Sequence, residues 1–193
     1  MARPREFCID QALFKALNVF WRHGFEGASL TDLTEAMGIT RPSLYAAYGN
    51  KEELFRKALD LYDETYMGFT QEALKKPTAR AVAESLLMGF AEAATAVGHP
   101  PGCLGTNSVL VCSEASEPIR EELMRRRASL EATLRRRFEK AKAAGELPPE
   151  SHPGDLARFI MTTVHGMSIQ AAGGVTRQSL LRVADMALKA WPD

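Results

Sequence analysis

The chain has 193 residues, 46% hydrophobic and 25% charged, with 24 basic against 24 acidic side chains. A net charge of zero excludes a polybasic protein held to nucleic acid by charge alone, though not one that touches phosphates at a few placed positions. No apolar run approaches a membrane span and the opening MARPREFCID has no signal-peptide core, so a cytoplasmic protein without a membrane partner is expected.

Helical periodicity runs along nearly the whole chain. Ile9, Leu13, Ala16 and Phe20 recur at helical spacing, a stripe that Gly24 can end in a left-handed conformation. Ser29 and Asp32 have capping-box spacing, and Leu30, Leu33, Ala36 and Met37 give a short second helix one buried face before Gly38 stops it. Thr40 can cap a third helix at once, with Pro42 tolerated in its first turn. Gly49 closes that helix. Asn50 and Glu53 then form a second capping box, opening a fourth helix whose face is Leu54, Ala58, Leu61, Thr65 and Phe69.

Two short helices joined by a tight Gly38-Ile39 turn make a helix-turn-helix, a unit that presents its second helix to a DNA major groove. On that second helix Leu44, Ala47 and Tyr48 share an inward face, while Pro42, Ser43, Tyr45 and Ala46 face outward. Recognition helices lead with their N-terminal residues, so Arg41 and Ser43 are the expected base readers, Arg41 suiting the paired acceptors of guanine. Thr31, Thr40, Tyr45 and Lys51 suit phosphates, and Lys51 also stands at a helix start whose N–H groups favour anions. A blander reading competes: short capped helices occur in many all-α proteins, and residues 1–57 hold only eight basic against seven acidic side chains.

Further on, residues 79–96 form an Ala-rich apolar helix, GHPPGCLGTN is a Gly/Pro break, and a short segment runs from Leu104 to Glu114. Ile119, Leu123, Leu130, Leu134 and Phe138 mark a long amphipathic helix closed by AAGELPPESHPGD. Two last helices, 154–172 and 176–190, are apolar on more than one face, which points to burial between subunits. The arginine triplets of MRRRASLEATLRRRF follow Glu121, Glu122 and Glu131 at four-residue spacing, so a solvated, ion-paired face is expected there.

Residues 27–55, GASLTDLTEAMGITRPSLYAAYGNKEELF, resemble the N-terminal module of TetR/AcrR-type transcriptional regulators in order, spacing and residue type. The resemblance implies an all-α fold of about nine helices, with a DNA-binding domain at 1–50 and a helical effector-binding and dimerisation domain at 51–193. It places Thr31, Thr40, Arg41, Pro42, Ser43, Tyr45, Tyr48 and Lys51 at positions from which the family contacts double-stranded operator DNA. Ala47 and Tyr48 stand where the family pattern often has His and Phe, so Tyr48 either supplies a contact of its own or packs. The family dimerises through its last two long helices, here 154–172 and 176–190, and encloses a small-molecule effector with helices four to seven. Tyr66, Met67, Met88, Phe90, Cys103, Val109 and His165 are the expected pocket residues, although Met and Phe stripes of this kind also serve as plain core.

Cys8, Cys103 and Cys112 form no CxxC pair and read as free thiols. PPGCLGTN resembles the Gly-Cys-Leu segment of a branch of the family in which some members sense electrophiles or oxidants, making Cys103 a possible redox sensor or else a packed small hydrophobe, with Cys112 inert. His99 and Cys103 share a loop but have no second close ligand, so no metal is expected; no cofactor motif is present. A Cys103-based enzyme would need a base and an oxyanion site, and the chain carries no known catalytic motif. The expected function is a dimeric repressor released from its operator by an effector. The alternatives are a thiol-based sensor of the same fold and a helical architectural protein without an effector.

Overall fold

The computed structural model describes residues 8–109 and 116–192, so Cys112 and the side chain of Val109 lie outside the described residues. Within them the fold is all-α, with ten helices and no strand. The first helix, α1 (Ile9–Gly27), buries Ala12, Ala16, Leu17, Phe20, Trp21 and Phe25. Gly24 kinks this helix instead of ending it. With φ 70° and ψ 178° it takes a backbone conformation costly for any residue with a Cβ, and a Cβ there would also lie 3.3 Å from the Asn107 carbonyl oxygen.

Both capping boxes form. In the first, the Asp32 N–H donates to Ser29 Oγ at 3.1 Å and the Ser29 N–H donates to Asp32 at 3.0 Å, starting α2 (Leu30–Met37). Leu33 and Met37 are buried on it, whereas Ala36 is exposed, contrary to its expected place. Gly38 sits in the left-handed region (φ 69°, ψ 35°) and turns the chain into α3 (Arg41–Tyr48). The second box, Asn50 with Glu53, starts α4 (Lys51–Tyr66) through two 2.9 Å bonds.

The fourth helix departs from expectation. Its buried residues are Leu54, Phe55, Ala58, Leu59 and Tyr62, a face rotated from the expected one, on which Thr65 is exposed. It stops at Tyr66, and Phe69 opens a separate short helix, α5 (Phe69–Leu74), which raises the count from nine to ten. The cause is packing: α4 turns its apolar face to the N-terminal core, while Phe69 stacks edge-on against Phe90, 5.1 Å between centroids, in a different core. One straight helix cannot serve both.

The remaining elements are α6 (Ala79–Thr95), α7 (Leu104–Val109), α8 (Glu117–Ala143), α9 (Pro153–Ala172) and α10 (Arg177–Lys189). The start of α6 is capped twice, by Thr78 Oγ1 accepting from the Ala81 N–H at 3.1 Å and by the distant Glu146 carboxylate accepting from the Ala79 N–H at 2.8 Å.

Burial divides into two clusters. One joins α1–α4 with Leu104, Ile119 and Leu123; the other joins α5, α6, the later part of α8, α9 and α10. Met67 packs against both. Among the described residues no helix is long and apolar enough to cross a membrane.

Candidate nucleic-acid interface and effector region

On α3 the buried residues are Leu44 and Tyr48, which turns Arg41, Pro42, Tyr45 and Ala46 outward, with Ser43 half-buried between. The Arg41 guanidinium donates to Thr31 Oγ1 at 2.9 Å, so α2 holds the leading side chain of α3 in place. Thr40 Oγ1 accepts from the Ser43 N–H at 3.4 Å and shares a 3.0 Å bond with the Ser43 hydroxyl, tying both hydroxyls to the helix start. Tyr45 is 48% exposed.

Tyr48 is the correction in this group. It is 2% exposed, and its hydroxyl donates to the Ile9 carbonyl at 2.7 Å, so it braces α3 against α1 and is not available to a phosphate. Lys51 stands half-buried at the start of α4 with Nζ 4.5 Å from the Phe25 ring centre, a cation–π contact. Burial lowers the Lys51 pKa from its ordinary value, with Glu26 pulling the other way.

The arginine triplets divide their duties. Arg126 donates to Glu122 at 2.7 Å, the expected four-residue pair, but also crosses to α4, reaching Asp60 and Asp63 at 2.6 Å each. Arg125 pairs with Glu122 instead of Glu121, Arg135 with Glu139 instead of Glu131, and Glu131 receives Arg158 from α9. Arg127 is half-buried and donates to the Gly105 carbonyl at 3.4 Å.

The expected effector residues separate between the two cores. Tyr66 and Cys103 pack with the first, Met88 and Phe90 with the second, and Met67 touches both. Phe90 is 6% exposed and closed off by Phe69, a core position.

A denser group surrounds Cys103. Tyr62 is buried in the same core as Cys103; burial first, then Cys103, hold its pKa well above the ordinary tyrosine value. Trp21 lies edge-on to Tyr62 (4.8 Å) and Tyr66 (4.9 Å) and stacks on His99 at 4.4 Å. His165 is half-buried, its pKa lowered to about 4 by burial and then by the charge of Arg127. Sequence reasoning missed Trp21, Tyr62 and Arg127. Their partners lie far along the chain, and only the apolar spacing of Tyr62 with Leu54, Phe55 and Leu59 pointed inward.

Comparison with known proteins agrees with this architecture. Family models match twice: "Bacterial regulatory proteins, tetR family" over residues 13–58 and "Tetracyclin repressor-like, C-terminal domain" over residues 79–184. The HTH-type transcriptional repressor ComR of Escherichia coli K12 is 37% identical over 194 residues, 99% of this chain and 92% of that protein. The E. coli K12 repressor BdcR is 30% identical, covering 96% and 89%. A cysteine mutant of the TetR family regulator CifR, solved with 26-bp double-strand operator DNA, is 41% identical with a TM-score of 0.93, covering 98% of this chain and 100% of that one. With two family models in tandem and near full-length relatives at 30% identity or more, the chain belongs to the tetR family of bacterial transcriptional regulators.

Proposed function

We propose that the protein is a homodimeric repressor that binds near-palindromic operator DNA through α3 and is released by a small-molecule effector. The observation that carries this reading is the outward face of α3, headed by an arginine already steadied by Thr31. In the division we propose, residues 1–50 read DNA, with Thr31, Thr40, Arg41, Pro42, Ser43, Tyr45 and Lys51 at the interface, and residues 51–193 bind effector and dimerise. The first turns of α4 pack under the reading unit and carry the signal. Dimerisation through α9 and α10 is supported by apolar side chains left exposed on them: Phe159 and Ile169 on α9, Val183 and Met186 on α10.

The coupling runs along α4. From Lys51 to Tyr66 this helix is about 22 Å long at roughly 1.5 Å per residue. An effector that displaces Tyr62 and Tyr66 moves Lys51 and changes the spacing of the two recognition helices. Release requires that the effector prefer the conformation DNA disfavours, and a coupling of about 1–3 kcal/mol weakens operator binding roughly 5- to 150-fold.

A mobility-shift titration on the DNA flanking the protein's own gene tests the reading. Arg41→Ala is expected to cost about 1–3 kcal/mol and relax preference at one symmetric base position, while Lys51→Ala weakens all sequences alike. Uniform loss with unchanged preference in Arg41→Ala would overturn the assignment of base reader.

A second reading, Cys103 as the point of effector attack, is favoured by its packing in the same core as Tyr62 and Tyr66, because a group added at the sulfur presses on the core that α4 itself builds. Unchanged operator binding after Cys103 alkylation would remove this reading and leave the first intact.

A further inference from the structure

Between α1, α2 and the loop from α6 to α7 lies a groove of about 390 Å³, a volume within the range of small-molecule sites. Lys15, Asn18, Val19 and Arg22 line it from α1 at steps of three, one and three residues, so they form one stripe, and His23 flanks its end. The two full cations stand two turns apart, about 10 Å at roughly 1.5 Å per residue. Between them the Asn18 amide gives one N–H to the Phe14 carbonyl at 3.0 Å and keeps a second. Among the described residues no carboxylate lines the groove. The nearby Asp32, its pKa lowered first by Ser29 and least by His23, is turned to Ser29, whose N–H and hydroxyl it accepts at 3.0 and 2.6 Å. A cleft lined by one sign of charge concentrates counter-ions.

The groove lies off the DNA-reading face. The Ile9 end of α1 is bound to α3 through Tyr48, whereas Arg22 is thirteen residues further along, about 20 Å at roughly 1.5 Å per residue. On α2, Ala36 lines the groove and follows Thr31, the partner of Arg41, by five residues, about 140° around the helix. A duplex seated on α3 therefore does not fill it, and the fit is to a free small molecule.

We propose that this groove binds a nucleotide-sized polyphosphate ester, at a site separate from the effector region around Tyr66. The phosphates lie along Lys15, Asn18 and Arg22, where lysine meets them as a point charge and arginine through paired N–H groups, with His23 donating at one end. The organic portion rests on Val19 and Ala36, the apolar strip of the lining. Gly98, on the loop wall, holds φ 103° and has open space where a side chain would stand, so the loop leaves the groove clear. Its neighbour His99 stacks on Trp21 of α1 at 4.4 Å, so an occupant braces the loop against α1 and stabilises the folded protein.

Calorimetric titration of the whole protein with ATP, inorganic tripolyphosphate and adenosine, in magnesium-free buffer at low salt, tests this. ATP is expected to saturate a single site per chain, tripolyphosphate to bind more weakly and adenosine not measurably, with ATP affinity falling as salt rises. Lys15→Gln and Arg22→Gln, both at exposed positions, each weaken ATP binding about fivefold, and Ala36→Glu, which puts a carboxylate into the groove, removes it. Arg136→Gln, at an exposed arginine of α8, leaves it unchanged. Absence of ATP binding to the wild type, equal loss in Arg136→Gln, or ATP and tripolyphosphate binding alike overturns the proposal. So does a loss of operator affinity in Arg22→Gln measured without ATP, which reassigns the groove to the duplex backbone. Operator binding by the wild type is scored apart, so failure to bind ATP leaves the repressor reading intact.

Discussion

Arg126→Gln should loosen the α4–α8 junction measurably. The guanidinium holds Glu122 at 2.7 Å on its own helix and Asp60 and Asp63 at 2.6 Å on α4. Exposure decides how much each contact is worth: the carboxylates are 62% exposed at Asp60, 49% at Asp63 and 14% at Glu122. The two exposed pairs fall in the range of about 0.2–1 kcal/mol each. Glu122 is better shielded but retains Arg125, which softens its loss. The sum is about 1–2 kcal/mol, or a drop of about 3–6 °C in Tm for a chain of this size. Thermal unfolding at low salt and at about 1 M salt, where the screening length is only ~3 Å, should show the gap between wild type and variant shrinking. Arg125→Gln, which touches Glu122 alone, should shift Tm less. A gap that is absent at low salt, or that does not narrow at high salt, refutes the electrostatic account of this junction.

Tyr48→Phe should destabilise the protein by about 1 kcal/mol in urea titrations, because it removes the hydroxyl's bond to the Ile9 carbonyl, while operator affinity per folded molecule stays unchanged. A selective loss of DNA binding would return Tyr48 to the interface. His165, near 4 folded against 6.5 unfolded, contributes stability that is full above pH 6.5 and is lost as the pH falls toward 4, because the unfolded chain binds the proton first. After discounting for partial exposure, His165→Gln should remove about 1 kcal/mol of the difference in unfolding free energy between pH 7 and pH 5; parallel pH profiles for the two proteins would contradict this. Met186→Asp, at the most exposed apolar side chain of α10, should shift the protein from dimer to monomer in sedimentation, with monomeric wild type counting against the proposed interface.

The parts of the fold legible in the sequence are those written within a few residues. Ser29 with Asp32 and Asn50 with Glu53 lie three apart, as their bonds require, and Gly38 marks its own turn, so the helix-turn-helix can be placed from spacing alone. The end of α4 is not legible in that way. Phe69 continues a helical spacing from Leu61 and Thr65, and only the existence of a second core explains why the chain leaves the helix at Met67. Arg127 shows the same limit. Its triplet reads as a solvated face by local charge pairing, yet its environment is set by Gly105 and Cys103, more than twenty residues earlier. For the reading face, outward and inward positions on α3 follow from the helical period, but Tyr48 needed the fold to resolve it, since its hydroxyl partner lies 39 residues back.

The placement of Trp21 and Trp191 gives the molecule its own optical instrument. The chain has two tryptophans, and the two cores hold one each: Trp21 stacked on His99 beside Cys103, Trp191 against Phe138. Trp21 therefore reports on the loop that carries His99 and Cys103, while Trp191 reports on the helices behind it. In Trp191→Phe, the remaining emission follows the loop alone. In Trp21→Phe, it follows only the second core, so stopped-flow traces of the two variants give the order in which the loop and that core respond.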